Sequence, residues 1–386
     1  MNSSVYLDYA AATPVDARVI AAMQPYFSDA FYNPSASYKA ARAVRADVEQ
    51  ARGMLADWLG AKAREVIVTA GATESANLAL HGVMRAHPGA SVAVGAIEHD
   101  AVLETARQYP HEIIPVDDSG AVGEQALRAA IRDDTVLVSI GYASGMLGTL
   151  QPIKRLGQLI AAVRTERREA GNTLPLYFYT DASQAAAYAD MHVSRLGVDL
   201  MTVGAQKLYG PKQVGLLYVR TGTQLSVVMQ GGGQESGLRS GTENVPGIIG
   251  FAEAVRLVRA ERDERACHVG QLRALFEKRL QEALGDSCVF TTARQRIPHI
   301  SHFVMPGIDA ETLLFMLDER DIMVATGAAC AANKQTASTV LLAIGLDEAH
   351  RQGSLRCSFS HLLTLEDVER AVKEIIGCVR IMKDTA

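Results

Sequence analysis

Glu65-Val-Ile-Val-Thr-Ala-Gly-Ala-Thr-Glu-Ser75 decides the fold. A short apolar strand runs into a glycine turn, and a helix then starts near Thr73 and reads on to His87. Before it, Val44, Val48, Ala51, Leu55, Trp58 and Leu59 recur at helical spacing, so residues 37–59 form an amphipathic helix. After it come apolar runs at 91–95, 112–116, 135–140, 176–180, 199–203 and 214–219, with helical segments at 101–108, 124–132 and 153–169 between them. Strands alternating with helices predict an α/β fold: a mostly parallel sheet covered on both faces. The pattern changes near residue 245. A long helix spans 245–284. Strands near 287–291, 297–304, 321–325 and 354–359 then mix with helices near 309–318, 338–344 and 364–382, which reads as a smaller α+β domain.

With 386 residues the chain is about two domains long. Its 38 basic and 43 acidic residues leave a net charge of −5, close to neutral for this length, which argues against nucleic acid as a partner. The longest mostly apolar run, Val136 to Leu147, is broken by Ser139, Gly141 and Ser144 and falls short of the roughly 20 residues of a membrane helix. The start, Met1 to Asp16, has no basic leader and carries Asp8 and Asp16, unlike a secretory signal. The cysteines are Cys267, Cys288, Cys330, Cys357 and Cys378, with no Cys-x-x-Cys, so neither a zinc nor an iron–sulfur site within the chain is expected.

Functional residues of open parallel sheets gather at the carboxyl ends of the strands. Thr73 follows the first of these, where free N–H groups suit a phosphate; Thr73 or Ser75 as an ordinary N-cap is the plain alternative. His99 follows 91–95 and is either a site residue or a solvated loop histidine. Asp181, with Gln184 three residues on, follows the buried-looking 176–180; it is either an N-cap or the partner of a buried cationic nitrogen. Lys207 lies between two apolar strands; it is either a partly desolvated lysine suited to Schiff-base chemistry or an ordinary surface lysine. The glycine-dense Gln230 to Asn244 carries Arg239 and Thr242 but fits neither a GxGxxG nor a Walker spacing. Cys330 sits among Ala and Gly, as a core cysteine does and as a thiol on an accessible loop does. A lysine, a strand-end acid and a phosphate cup are together what pyridoxal 5'-phosphate requires.

The chain resembles the pyridoxal-phosphate cysteine desulfurases of the NifS/IscS type, within the fold-type I class V aminotransferases. The resemblance runs through Val5-Tyr-Leu-Asp-Tyr-Ala-Ala-Ala-Thr-Pro14, Asn33-Pro-Ser35, Thr69 to Ser75, Glu98-His99, Tyr179 to Gln184, Lys207 to Lys212, Gly231 to Gln234, Leu238 to Asn244, Gly327 to Cys330 and Ser354 to Ser358, in the family's order. It implies a large cofactor domain over 15–255 and a small domain from 1–14 and 256–386 that carries the cysteine loop. It implies that Lys207 holds the cofactor and moves the substrate's Cα proton, and that Asp181 pairs with the ring nitrogen. His99 would stack on the ring and shuttle a proton, and Gln184 would bond the ring oxygen. Ala72 and Thr73 would hold the phosphate, as would Thr242 from a neighbouring subunit of a homodimer. Arg356, with Asn33, would bind the substrate carboxylate. Cys330 would take sulfur from L-cysteine as a persulfide, leaving L-alanine, for an iron–sulfur scaffold or tRNA-thiolation acceptor in the cytoplasm. No metal is implied.

Departures stand beside the matches. Gly204 and Gln206 replace a serine and a histidine near the lysine, and Ser144-Gly-Met-Leu-Gly148 replaces Asn-Asn-Glu-Ile-Gly. Tyr38 replaces a histidine, and Gly327-Ala-Ala-Cys330 replaces Gly-Ser-Ala-Cys. They leave two alternatives open: a related pyridoxal-phosphate enzyme acting on another sulfur or selenium amino acid, and a weakly active paralogue serving as a partner or scaffold.

Overall fold

A computed structural model describes residues 4–291, 293–327 and 339–384. After the short β1 (Val5–Tyr6), seven strands build one sheet: β2 (Val66–Thr69), β3 (Ser91–Gly95), β4 (His111–Ile114), β5 (Thr135–Ser139), β6 (Tyr177–Asp181), β7 (Leu200–Gly204) and β8 (Gly215–Val219). Their order is β2-β8-β7-β6-β5-β3-β4. β8 is antiparallel to both neighbours, and the remaining contacts, from β7 through β4, are parallel. β3 and β5 are buried at every residue, which explains their continuous apolar runs: both faces of a parallel sheet are covered by helices.

The helix Lys39–Leu59 buries Val44, Val48, Ala51, Leu55 and Leu59 of the stripe read from the sequence, with Ala41 in addition, while Trp58 is only partly buried. It stops at Gly60, whose φ of 63° is left-handed; a Cβ there would also overlap the His192 ring. The helix Val245–Leu284 starts with Asn244, whose Oδ1 accepts the Gly247 N–H at 3.1 Å, and has Pro246 in its first turn. Its first half gives Ile248, Phe251, Val255 and Val258 to the core around the large sheet. Its second half gives Val269, Leu272, Phe276 and Leu280 to a second core, together with Val5, Leu7, Phe303, Leu355, Phe359 and Ile375. The first residues of the chain thus pack with its last.

The second core backs an antiparallel sheet of β9 (Val289–Phe290), β10 (Ile300–Val304), β12 (Ala325–Thr326) and β13 (Ser354–Ser358), in the order β12-β13-β10-β9. The strand expected at 321–325 is two pieces. β11 (Ile322–Met323) runs parallel to β1, whereas β12 joins β13, so the chain changes sheets between Met323 and Ala325. The strand expected from 297 starts only at Ile300 because Pro298 has no N–H to donate. Helices Ala17–Met23, Pro25–Ser28 and Val193–Leu196 are too short to register as a periodicity. No helix among the described residues is long and apolar enough to cross a membrane.

Candidate active site

The carboxyl ends of β2, β3, β5, β6 and β7 face one edge of the sheet, and every strand-end candidate sits there. Lys207 ends a single helical turn, Ala205–Lys207, directly after β7. The turn is tight: the Leu208 and Gly210 N–H groups both donate to the Ala205 carbonyl, at 2.9 and 3.1 Å. Tyr209 takes a φ of 59°, costly for a bulky residue. It is held there by Ser360, whose Oγ is 2.6 Å from the phenol oxygen, and by its N–H donating to Thr13 Oγ1 at 3.1 Å.

The N-terminal segment straps the site together. Lys207 Nζ donates to the carbonyls of Ala10 and Ala11 at 2.7 and 2.6 Å. Gln184 Nε2 donates to the same Ala10 carbonyl at 2.9 Å. Thr13 Oγ1 donates to the Gln206 carbonyl at 2.7 Å. The Ala10 N–H donates to Ser358 Oγ at 2.9 Å, tying the strap to β13. Two residues before Ser358 on that strand, Arg356 donates from Nη2 to Asp8 at 2.5 Å and from Nη1 to the Gly145 carbonyl at 3.0 Å. Its Nε is buried and has no partner among the described residues. Lys207, Gln184 and Arg356, far apart in sequence, therefore meet on residues 8–11.

Asp8 and His299 were not singled out from the sequence. The signal for Asp8 was present: an acid inside the buried run Val5 to Ala10 needs a cation. His299 carries no such mark. It is buried and stacks on Tyr188, with centroids 4.7 Å apart. Burial first, then the nearby cations Arg356, Lys207 and Arg273, push it down to about 3. It is a neutral wall behind the two cations at ordinary pH.

Asp181 ends β6 and its Oδ1 accepts the Ser183 N–H at 2.9 Å, so it caps a turn and not a helix. Neither Thr73 nor Ser75 is the N-cap of helix Ala72–Ala86; the cap is Gly71, with no side-chain bond to the first turn. Ser75 instead shares a hydrogen bond with Thr69 at 2.7 Å. The helix start lies against the end of β7: a Cβ on Gly204 would stand 3.3 Å from that of Ala72, and one on Gly215 would press on the Gly71 backbone at 2.8 Å. His99 caps the helix Asp100–Ala106, Nδ1 accepting the Ala101 N–H at 3.1 Å, with its ring exposed. Met146 and Leu147 N–H groups donate to Ser144 Oγ at 3.3 and 3.2 Å, and a Cβ on Gly145 would be 3.0 Å from Gln184 Nε2. The altered 144–148 loop thus packs directly on Gln184.

Asn33 and Thr242 sit elsewhere, lining one cavity of about 240 Å³ with Tyr26, Phe31, Tyr32 and Pro34. Cys330 lies outside the described residues. The strand-end set fits pyridoxal 5'-phosphate. An amine, an acid and an uncapped helix start share one sheet edge, and an arginine with a buried spare donor lies beside them.

The family described as aminotransferase class-V matches residues 5–371. The cysteine desulfurase IscS of Dictyoglomus turgidum is 36% identical over 375 residues, covering 95% of this chain and 92% of that protein. The putative cysteine desulfurase IscS 1 of Bacillus subtilis is 36% identical over 384 residues, covering 97% and 98%. Among solved structures, a NifS-like protein superposes with a TM-score of 0.89 at 30% identity, covering 98% of this chain and 100% of that one. SspA in complex with cysteine gives 0.78 at 32% identity, covering 92% and 99%.

Proposed function

The chain belongs to the class-V aminotransferase family, among its pyridoxal-phosphate-dependent cysteine desulfurases, and from that premise we propose how its residues divide the work. The observation that carries the assignment is the convergence of Lys207, Gln184 and Arg356 on residues 8–11. Lys207 carries the cofactor and then moves the proton at the substrate's Cα. Asp181 faces the ring nitrogen, Gln184 the ring oxygen and His99 the ring. Ala72 and Thr73 present backbone N–H groups to the phosphate. The cofactor, when bound, supplies an electron sink conjugated to Cα.

Arg356 takes the carboxylate of L-cysteine, which meets its spare Nε; Asn33, which lines the cavity with Thr242, is left out of that contact. The Cys330 thiolate attacks the substrate sulfur. A sulfur–sulfur bond forms as the carbon–sulfur bond breaks, the electron pair staying with the amino acid, which leaves as alanine once protonated. The persulfide passes to an acceptor, an iron–sulfur scaffold or a tRNA-thiolation protein, in the cytoplasm. Residues 15–255 form the cofactor unit, and 1–14 with 256–386 form the unit bearing the cysteine.

The active form is a homodimer in which Thr242 reaches the partner's phosphate. In support, Thr242 lies in a cavity away from Lys207, and Phe31 on its rim is 65% exposed beside exposed Phe27 and Tyr38. A sedimenting mass of one chain at working concentration removes this part of the reading.

The whole assignment is tested by visible absorption. The purified protein should show a cofactor band that shifts on adding L-cysteine. A band that ignores cysteine but moves with a selenium or substituted-cysteine substrate favours the related enzyme. No band after soaking with the cofactor favours the scaffold reading.

Arg356→Gln should raise KM for cysteine about 10- to 100-fold, since a hydrogen bond to a charged group is worth roughly 1.5–3 kcal/mol. The cofactor band should stay in place. An unchanged KM would put the carboxylate elsewhere.

A further inference from the structure

Glu98 has no part in the reaction above, yet it is an acid only 5% exposed at the edge where the site is built. It precedes His99 in the turn after β3. Its carboxyl lies across the ends of two adjacent strands and fits because a glycine ends β3 and another follows β5 two residues on. A Cβ on Gly95, the last residue of β3, would stand 3.3 Å from Oε1. One on Gly141, just past β5, would stand 3.2 Å from Oε2. The Gly141 N–H donates to Oε1. β6 lies next to β5 and ends in Asp181, whose charge acts on Glu98. The hydrogen-bond partners of these two acids are backbone N–H groups, Gly141 for Glu98 and Ser183 at 2.9 Å for Asp181.

We propose that Glu98 and Asp181 form a carboxyl pair carrying a single negative charge, with Glu98 the protonated member and the positioning residue for Asp181. Two carboxylates in one desolvated site do not both ionise readily. Burial, and then the charge of Asp181, push Glu98 up to about 8, and the Gly141 N–H pulls the other way without offsetting them. Among the described residues no cation pairs with Glu98. The Tyr179 phenol donates to Thr202 at 3.1 Å and is held neutral by burial, and the His99 ring points to solvent. The sign follows. Below about 8 the proton stays on Glu98; above it the edge gains a further negative charge. Only the consequence for the cofactor rests on the desulfurase reading: the second charge tightens the proton on the nitrogen that Asp181 faces.

Infrared spectroscopy of the purified protein tests the pair directly. A carboxylic-acid carbonyl band, sensitive to D₂O, should be present at neutral pH, fade with a midpoint near 8, and be missing from Glu98→Gln. No such band in the wild type, or one that survives in Glu98→Gln, overturns the proposal. If Glu98→Gln does not fold by circular dichroism, the wild-type titration decides. In the visible spectrum of the holoenzyme, the matching expectation is an alkaline inflection near 8 that Glu98→Gln abolishes. An infrared band without any cofactor band would keep the pair and reject the desulfurase reading; a cofactor band without the infrared band would do the reverse.

Discussion

Lys207→Ala should abolish turnover, lowering kcat for cysteine at least about 10³-fold, and should release the cofactor on dialysis. Two functions leave with one amine: the covalent anchor and the group that moves the Cα proton, a role worth roughly 10²–10⁴ by itself. The fold should survive. Lys207 is only partly buried, and it donates to two backbone carbonyls of the strap, Ala10 and Ala11. Losing them costs at most a few kcal/mol by the usual net value of such bonds. Lys207→Arg separates charge from chemistry. It keeps a cation near those carbonyls but offers a guanidinium that does not deprotonate. Both variants should therefore lose the cofactor band that shifts with cysteine, while their thermal melts stay within a few degrees of wild type. If either retained a tenth of the wild-type rate, the lysine would not be the anchor.

The position of Lys207 was legible in the sequence because its surroundings were. Two apolar strands with a turn between them leave a lysine few places to go, and the strands came out within a residue of their expected ends at 199–203 and 214–219. Asp181 was legible for the same reason. The strap was not. Residues 5–14 were read as a motif, but β1 is two residues long and pairs with β11, more than 300 positions away. No local periodicity encodes a parallel pair that distant. The positive φ of Tyr209 was also hidden, because a bulky aromatic is the last residue that composition would place there. Glu98 was quoted only as the neighbour of His99; its burial depends on Gly95 and Gly141 lying at the ends of neighbouring strands, one in β3 and one just past β5, a fact of sheet order and not of sequence order.

The same logic explains how the altered loop is tolerated. Where the family carries two asparagines, Ser144 turns inward and accepts two N–H groups of its own loop, and Gly145 leaves space that the Gln184 amide fills. The Gly145 carbonyl meanwhile fixes Arg356 at 3.0 Å. The loop thus meets Gln184 and Arg356 through its backbone and the closeness a glycine allows.

Cys330→Ala should leave the cofactor band and its shift with cysteine intact while sulfide and alanine production falls at least about 10³-fold. Sulfur abstraction needs a thiolate, and the other cysteines are poor substitutes. Cys288, Cys357 and Cys378 are buried, and burial pushes their thiols up, Cys288 to about 12. Cys267 is exposed, but it lies on the long helix Val245–Leu284 with the Gln271 amide 3.7 Å from its sulfur, so Cys267→Ala is the control and should be silent. Up to Gly327 the fold does not depend on either thiol: the Gly327 N–H donates to the Ser354 carbonyl at 2.9 Å, two residues before Arg356 on β13. After a single turnover, mass spectrometry of wild-type peptides should find the extra sulfur atom on the peptide of Cys330 and not on that of Cys267. Sulfur on Cys267, or full sulfide release from Cys330→Ala, would leave the cofactor chemistry standing and move the nucleophile elsewhere.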